Sequence, residues 1–344
     1  MPETNVLFIW EVRDKLKHYL TKKFHHMPSV HLIFPDNISR EALLELAPQA
    51  DIMVGWRPAK ELLLAAKRLT LLFNPGAGVQ HLISLFQEVN KKRTKPLLLA
   101  NGHGNSYFTA QHAVALLLAL TNRVIPHHNW LKDGHWRKGD ADAKSIPLRF
   151  RKIGLLGYGA VNQKVHRFLA GFNVEFSILR RQWGTKVLNF PTPARTFAPA
   201  ELHSFLREVD TLVIAVPLTT HTRGMIGSAQ LELLGSEGLL VNIARGEVID
   251  EAALYKALKE EQIKGAAIDT WFEYRPESDA QGRQYPYEAE KHPFHTLDNV
   301  VLSPHRGASP LDDLKRWDEV VENITQFATG KREFINLVDL DREY

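Results

Sequence analysis

An α/β fold, with parallel sheets covered by helices, is what this 344-residue sequence predicts. Three observations predict it. Short apolar runs alternate with helical patterns along the chain, a glycine-rich turn joins one such run to a helix near the middle, and the alternation falls into two units either side of about residue 101. A chain of this length can bury two sizeable cores, so two domains are expected.

In order, apolar runs at 6–10, 30–34, 52–55 and 71–74 read as strands, and helical patterns at 12–24, 39–46 and 59–66 lie between them. A further run at 97–100 leads into a long apolar helix, 107–122, which Asn105 or Ser106 can cap. The second unit continues with strands at 152–156, 174–179, 211–215, 239–242, 265–269 and 300–303, with a helix at 162–172. The amphipathic tail, 311–329, is expected to return to the first unit and make it discontinuous, giving 1–100 plus 307–344 as one domain and 101–306 as the other. Residues 275–292 form the one long polar loop, rich in Pro, Gly, Gln and charge, and read as either a lid or a disordered insertion.

Composition narrows the class. Charged residues make up 24% and hydrophobic ones 44%, the balance of a globular protein, and 43 Lys+Arg against 39 Asp+Glu leaves a net charge of only +4. The densest positive run, Lys91-Lys92-Arg93-Thr94-Lys95, reads as a solvated turn, so no nucleic-acid partner is expected. With no cysteine there is no disulfide framework, thiol nucleophile or cysteine metal site, and no metal is expected. The start, Met1-Pro2-Glu3-Thr4-Asn5, has no signal layout, and no apolar run approaches 18 residues, so the expectation is a cytoplasmic protein without a membrane partner.

The stretch Gly154-Leu155-Leu156-Gly157-Tyr158-Gly159-Ala160-Val161-Asn162 carries the most chemistry. A strand delivers the backbone to a sharp turn at Gly157, and Gly159 lets the main chain approach an anion at a helix N-terminus, where free N–H groups point outward. This is how a dinucleotide pyrophosphate is received, through Gly157, Tyr158, Gly159, Ala160 and Val161. Asn162 stands where a third glycine is usual, which predicts looser packing of helix on strand. The next strand ends in Arg180-Arg181, where an NAD-binding unit usually presents an acid to the ribose hydroxyls. Arginine there suits a 2′-phosphate, so the expected cofactor is NADP, preferred over NAD, with Arg180 and Arg181 at the phosphate.

Several further segments converge. Asp210-Thr211-Leu212-Val213-Ile214-Ala215-Val216-Pro217-Leu218-Thr219, Thr222-Arg223-Gly224-Met225-Ile226, Val241-Asn242-Ile243-Ala244-Arg245-Gly246-Glu247, Gly265-Ala266-Ala267-Ile268-Asp269 and Asn299-Val300-Val301-Leu302-Ser303-Pro304-His305 resemble, in order and spacing, the D-isomer-specific 2-hydroxyacid dehydrogenases. With Gly76-Ala77-Gly78-Val79 and Asp133-Gly134-His135-Trp136, the resemblance covers nearly the whole chain and is weakest in the first 70 residues and after Asp269. It implies two Rossmann/flavodoxin-like domains with an interdomain cleft and a homodimer built on the cofactor domains. The activity implied is NADPH-dependent reduction of a small 2-oxo acid, of the glyoxylate or hydroxypyruvate kind, to the D-2-hydroxy acid. Two alternatives share the scaffold: a dehydrogenase of another small anion such as formate or phosphite, and a cofactor-sensing co-repressor.

Residue by residue, Arg245 matches the arginine that grips carboxylate and carbonyl oxygen, and His305 the general acid and base. Gly76, Ala77 and Gly78 match the loop that receives the carboxylate on its N–H groups. Val216, Pro217 and Thr222 match the segment beneath the adenosine and phosphates, while Asp269 and the backbone of Ile243 match the nicotinamide carboxamide partners, and Ala244 and Gly307 are further expected cofactor contacts. Val54-Gly55-Trp56-Arg57 joins Gly76–Val79 among the loops that set selectivity, and Trp56 and Trp271 are either pocket walls or packing. One departure stands out. The family's Asp-Val-Phe-x-x-Glu-Pro places a glutamate five residues after the aspartate, against the catalytic histidine. Here the run is Asp269-Thr270-Trp271-Phe272-Glu273-Tyr274-Arg275-Pro276. Glu273 is the expected partner of His305 if the loop shifts register, and Tyr274 or water if it does not.

Overall fold

The computed structural model describes residues 3–137, 144–184 and 189–344. The chain divides into two compact units, one running to Asn105 and resuming over Pro310–Tyr344, the other the uninterrupted span Ser106–Ser309.

In the first unit the strands are β1 (Thr4–Phe8), β2 (Val30–Ile33), β3 (Ile52–Val54), β4 (Leu71–Asn74) and β5 (Leu98–Asn101), and the helices α1 (Asp14–Phe24), α2 (Arg40–Leu46), α3 (Lys60–Ala65) and α4 (Ile83–Asn90). All strands are parallel, in the order β2-β1-β3-β4-β5 of flavodoxin-like sheets. Helices on both faces bury β3 and β4 completely, which is why these strands read as unbroken apolar runs. Alternation survives in where the side chains go: Val6 and Phe8 of β1 enter one core and Leu7 the other.

The second unit holds α5 (Ser106–Thr121), α6 (Val124–Lys132), β6 (Lys152–Leu156), α7 (Asn162–Leu169), β7 (Glu175–Leu179), β8 (Ala194–Phe197), α8 (Leu202–Glu208), β9 (Thr211–Ile214), α9 (Ser228–Leu234), β10 (Leu239–Asn242), α10 (Glu251–Lys259), β11 (Gly265–Ile268) and β12 (Val300–Leu302). Its parallel sheet runs β12-β11-β10-β9-β6-β7-β8, reversing direction between β6 and β9, the switch point outside which ligands of such sheets bind. After it, α11 (Asp318–Ala328) belongs to the first unit, where Val320, Ile324 and Ala328 join the core on the Val6 face of β1.

Two expectations change. Strand β8 carries no apolar run because it is an edge strand with its central residues exposed. The 275–292 loop is not a loose insertion but is anchored over its latter part: the N–H groups of Phe272 and Glu273 donate to Pro286 O (3.1 and 2.9 Å), Glu288 N–H donates to Glu251 Oε1 (2.8 Å), and buried Tyr287 packs on Trp271 and Phe294 (ring centroids 5.0 and 5.2 Å). Trp271 is thereby a core residue, 3% exposed, its indole N–H donating to Ser303 O at 2.8 Å.

Candidate active site

At the end of β6 the chain turns at Gly157, whose φ of +83° lies in the left-handed region; a Cβ there would stand 2.7 Å from Ala215 O. Gly159 is exposed, with open space where a Cβ would be. Among the described residues the N–H groups of Gly159, Ala160 and Val161 engage no acceptor, which leaves an anion cradle at the start of α7. Tyr158 holds the turn from inside: its hydroxyl bonds His166 Nδ1 (2.8 Å), and His166 Nε2 bonds Thr192 Oγ1 (2.9 Å). Burial pushes the His166 imidazole down to about 4, so this buried chain stays neutral.

Asn162 does not loosen the packing as expected. It is fully buried, and its amide donates toward Gly157 O (2.7 Å), Leu156 O and Val213 O (both 3.3 Å), tying the turn to β6 and β9 by hydrogen bonds where a glycine would do so by close approach.

At the end of β7, Arg180 N–H and the Trp183 indole N–H both donate to Phe197 O (3.3 and 3.0 Å), and the Arg180 guanidinium lies 5.4 Å from the centre of the Trp183 ring. Arg181 beside it is exposed. No carboxylate occupies the 180–184 segment to accept from ribose hydroxyls. The turn after β9 is closed by Thr222, whose hydroxyl donates to Pro217 O (2.6 Å) and accepts from Thr219 N–H (2.9 Å), while Val216 lies against Gly157. These residues fit a dinucleotide: an open glycine, three N–H groups that engage no acceptor among the described residues, and a cation at the end of β7.

The chemistry gathers at the ends of β10, β11 and β12. Asn242 closes the turn after β10 from both sides, accepting from Ala244 N–H (3.1 Å) and donating to Arg245 O (3.0 Å). Ile243 and Ala244 are buried in that turn. The Arg245 guanidinium donates to Ala244 O (2.6 Å) and meets no carboxylate among the described residues. Burial lowers its pKa, and a nearby Tyr274 acts the other way.

His305 follows β12 in a left-handed conformation, φ +56°, with an accessible imidazole. The carboxylate that shapes its loop is Asp269, 2% exposed at the end of β11. Asp269 Oδ1 accepts from Ser303 Oγ (2.5 Å), Arg306 N–H (2.7 Å) and His112 Nε2 (3.2 Å), and Oδ2 from Gly307 N–H (3.0 Å). Burial alone would raise this carboxyl, but the bonds from His112, Ser303, Arg306 and Gly307 hold it at about 2. So saturated, Asp269 serves first as the anchor of the His305 loop. His112, on α5, bonds Ser303 Oγ as well (2.9 Å). Sequence reasoning missed it because it was one of 16 histidines, and no signal short of the fold set it apart.

The partner of His305 is corrected. The backbone does not shift register after Asp269. Glu273 is exposed and its Oε1 accepts from Arg275 N–H (2.6 Å), capping its own turn. Tyr274, five residues after Asp269, stands edge-on to the imidazole with ring centroids 5.3 Å apart. Burial among protein atoms and the Arg245 guanidinium hold the imidazole below its usual 6.5, with Asp269 opposing and Arg306 adding to the fall.

In the first unit, the loop after β4 has its carbonyls held inward: the Asn74 amide donates to Gly76 O and Gly78 O, and the Asn101 amide to Ala77 O (2.7 Å). The N–H groups of Gly76, Ala77 and Gly78 engage no acceptor among the described residues. Trp56 flanks this loop, its indole nitrogen 3.4 Å from where a Gly76 Cβ would sit, and its ring meets those of Trp10 and Trp317 (4.9 and 6.3 Å).

Comparison with known proteins agrees with this fold. The family model for the NAD-binding domain of D-isomer specific 2-hydroxyacid dehydrogenases matches residues 114–307. The chain is 33% identical to a glyoxylate reductase of Pyrococcus furiosus over 310 residues, 86% of this chain and 84% of that one. It is 29% identical to a D-3-phosphoglycerate dehydrogenase of Archaeoglobus fulgidus, covering 88% of this chain and 55% of that one. Among solved structures, an NADPH-dependent glyoxylate/hydroxypyruvate reductase from Sinorhizobium meliloti in complex with NADP and malonate has a TM-score of 0.73 at 22% identity, covering 99% of this chain and 98% of that one. A D-isomer specific 2-hydroxyacid dehydrogenase from Xanthobacter autotrophicus in complex with NADPH and MES reaches 0.76 at 22% identity, covering 99% and 100%. From its two parallel sheets, its glycine turn and its match over most of the second unit, the chain belongs to the D-isomer specific 2-hydroxyacid dehydrogenases, NAD(P)-dependent oxidoreductases that act on CH–OH groups.

Proposed function

We propose that this protein reduces a small 2-oxo acid to the D-2-hydroxy acid, using NADPH in preference to NADH, with glyoxylate and hydroxypyruvate the first substrates to test. The observation that carries the reading is a guanidinium with no carboxylate partner among the described residues, Arg245, near enough to an accessible imidazole, His305, to lower its pKa. When bound, the dinucleotide supplies the hydride taken up by the carbonyl carbon. Arg245 grips the substrate carboxylate and polarises the carbonyl oxygen through its fork of donors. His305 gives the oxygen its proton in reduction and takes it back in oxidation. The free N–H groups of Gly76, Ala77 and Gly78 receive the carboxylate, with Trp56 beside them as an apolar wall.

On the cofactor side, Gly157, Tyr158, Gly159, Ala160 and Val161 form the pyrophosphate cradle, and Arg180 and Arg181 meet the 2′-phosphate. Val216, Pro217 and Thr222 would hold the adenosine and phosphates and Ile243 and Asp269 the nicotinamide carboxamide, with Ala244 and Gly307 as further cofactor contacts. Relatives that resemble this chain by fold carry NADP or NADPH, which supports the preference. A homodimer is supported by α6, which has no buried residue and, with the turn after it, presents Val124, Leu131 and Trp136 at 52%, 57% and 77% exposure. The deciding experiment is NADPH oxidation followed by absorbance over a panel of 2-oxo acids; no turnover of any member would refute the assignment.

A further inference from the structure

The residue that faces His305 is a tyrosine where the family's pattern calls for a carboxylate, and the exchange is built into the backbone. Counting from Asp269 rather than from Pro276 decides which side chain arrives there, because Phe272 and Glu273 are both fixed by Pro286 O and the extra residue is absorbed after Tyr274. Glu273 spends its carboxylate on Arg275 N–H. The imidazole of His305 makes no hydrogen bond among the described residues, so neither ring nitrogen is assigned its proton by a neighbour. What touches the ring is the Tyr274 side chain, at 5.3 Å between centroids and 65° between planes. That edge-to-face contact orients a ring whose backbone already sits in the left-handed region.

We infer that Tyr274 is the positioning residue of His305: it orients the imidazole by ring packing, where a carboxylate would do so by charge and hydrogen bond. The inference rests on His305 being the proton donor and acceptor proposed above. Its chemical consequence concerns direction. The charged groups around the imidazole are Arg245 and Arg306, which disfavour its cation, and Asp269, which favours it but is already engaged by Ser303, His112 and two N–H groups. Tyr274 adds no anion, since burial raises its phenol above 10 while Arg245 pulls the other way. The imidazole is therefore mostly neutral at pH 7. It stands ready to accept a proton from a 2-hydroxy acid and is only partly charged for donating one to a 2-oxo acid. Reductive kcat/KM falls, and oxidative kcat/KM rises, as pH passes upward through a value below 6.5.

Four variants of the whole enzyme test this, with kcat, KM and pH profiles measured in both directions. Tyr274→Phe keeps the ring and should keep kcat and the basic limb of the reductive profile. Tyr274→Ala frees the imidazole and should lower kcat roughly tenfold to a hundredfold, the scale of a misplaced catalytic group, with the KM for NADPH unchanged. Tyr274→Glu supplies the missing charge and should move the basic limb up by about one pH unit or more. His305→Ala reports on the underlying reading: if it keeps wild-type kcat, the proton role itself falls, whatever the Tyr274 variants do. With that role intact, a Tyr274→Ala enzyme with wild-type kcat, or a Tyr274→Phe enzyme as slow as Tyr274→Ala, would overturn ring packing as the orienting force. Far-UV dichroism and NADPH affinity, unchanged across the set, exclude misfolding as the cause of any loss.

Discussion

Replacing Arg180 with aspartate should invert cofactor choice. A charge-assisted hydrogen bond from a guanidinium to a phosphate contributes about 1.5–3 kcal/mol, so its loss should lower kcat/KM for NADPH by roughly tenfold to a hundredfold. Aspartate at the same strand end gives the ribose hydroxyls of NADH an acceptor, worth about 0.5–1.5 kcal/mol. Together these move the NADPH/NADH ratio by roughly thirtyfold to a thousandfold. The segment that carries this cation is held at the strand end, where the Arg180 N–H and the Trp183 indole share Phe197 O and the Trp183 ring lies 5.4 Å from the guanidinium. The assay is kcat/KM for both cofactors at saturating glyoxylate, repeated at low and high salt. The NADPH arm of the wild type should weaken with ionic strength and the NADH arm should not. A wild type that prefers NADH, or an Arg180→Asp enzyme with an unchanged ratio, would refute the assignment of Arg180 to the 2′-phosphate.

Three further outcomes are expected. His305→Ala should lower kcat by about two to four orders of magnitude while Arg245→Ala chiefly raises the KM for the oxo acid, and Arg245→Lys should not restore it because an ammonium lacks the planar fork; steady-state kinetics decide. Asp269→Asn should destabilise the protein by about 2 kcal/mol at pH 7, the worth of holding a carboxyl at about 2 against its usual 3.8. Since the folded value is the lower one, that stability is present above about pH 4 and disappears as pH falls toward 2, so urea melts of wild type and variant should converge there. Leu131→Glu should turn the proposed dimer into a monomer in light scattering; a wild type of monomer mass would refute the dimer, and an unaltered dimer mass in the variant would move the interface away from α6.

Much of this molecule was legible before folding. The glycine turn at Gly157, with its left-handed backbone, was legible because such a turn depends on local spacing, and the same local spacing is what singles out Arg180, Arg245 and the loop at 76–78 as the proposed site residues. The return of the tail helix was legible from its amphipathic pattern. Strand β8 was not, because an edge strand needs no apolar run. His112 was not, because its partners lie 157 and 191 residues away in sequence. The Glu273 assignment failed for a related reason: the displaced Pro276 suggested that the inserted residue lay before the site, whereas hydrogen bonds from Phe272 and Glu273 to Pro286, distant in sequence, place it after. Asn162 shows the opposite case, a broken motif whose function the fold restores with an amide.

The second unit is an uninterrupted insertion, and its two ends are gathered at one carboxylate. Near its start, α5 brings Thr109 against Gly307 and His112 to Asp269; near its end, the N–H groups of Arg306 and Gly307 close on the same side chain. A fragment cut at 306 would lose one of those ties, whereas Ser106–Ser309 keeps them all. Such a span can be exchanged by recombination as a single cassette. It would carry the glycine turn, Arg245 and His305 together and leave the 76–78 loop behind, so on the proposed reading redox chemistry and substrate choice would be inherited on separate stretches of the gene.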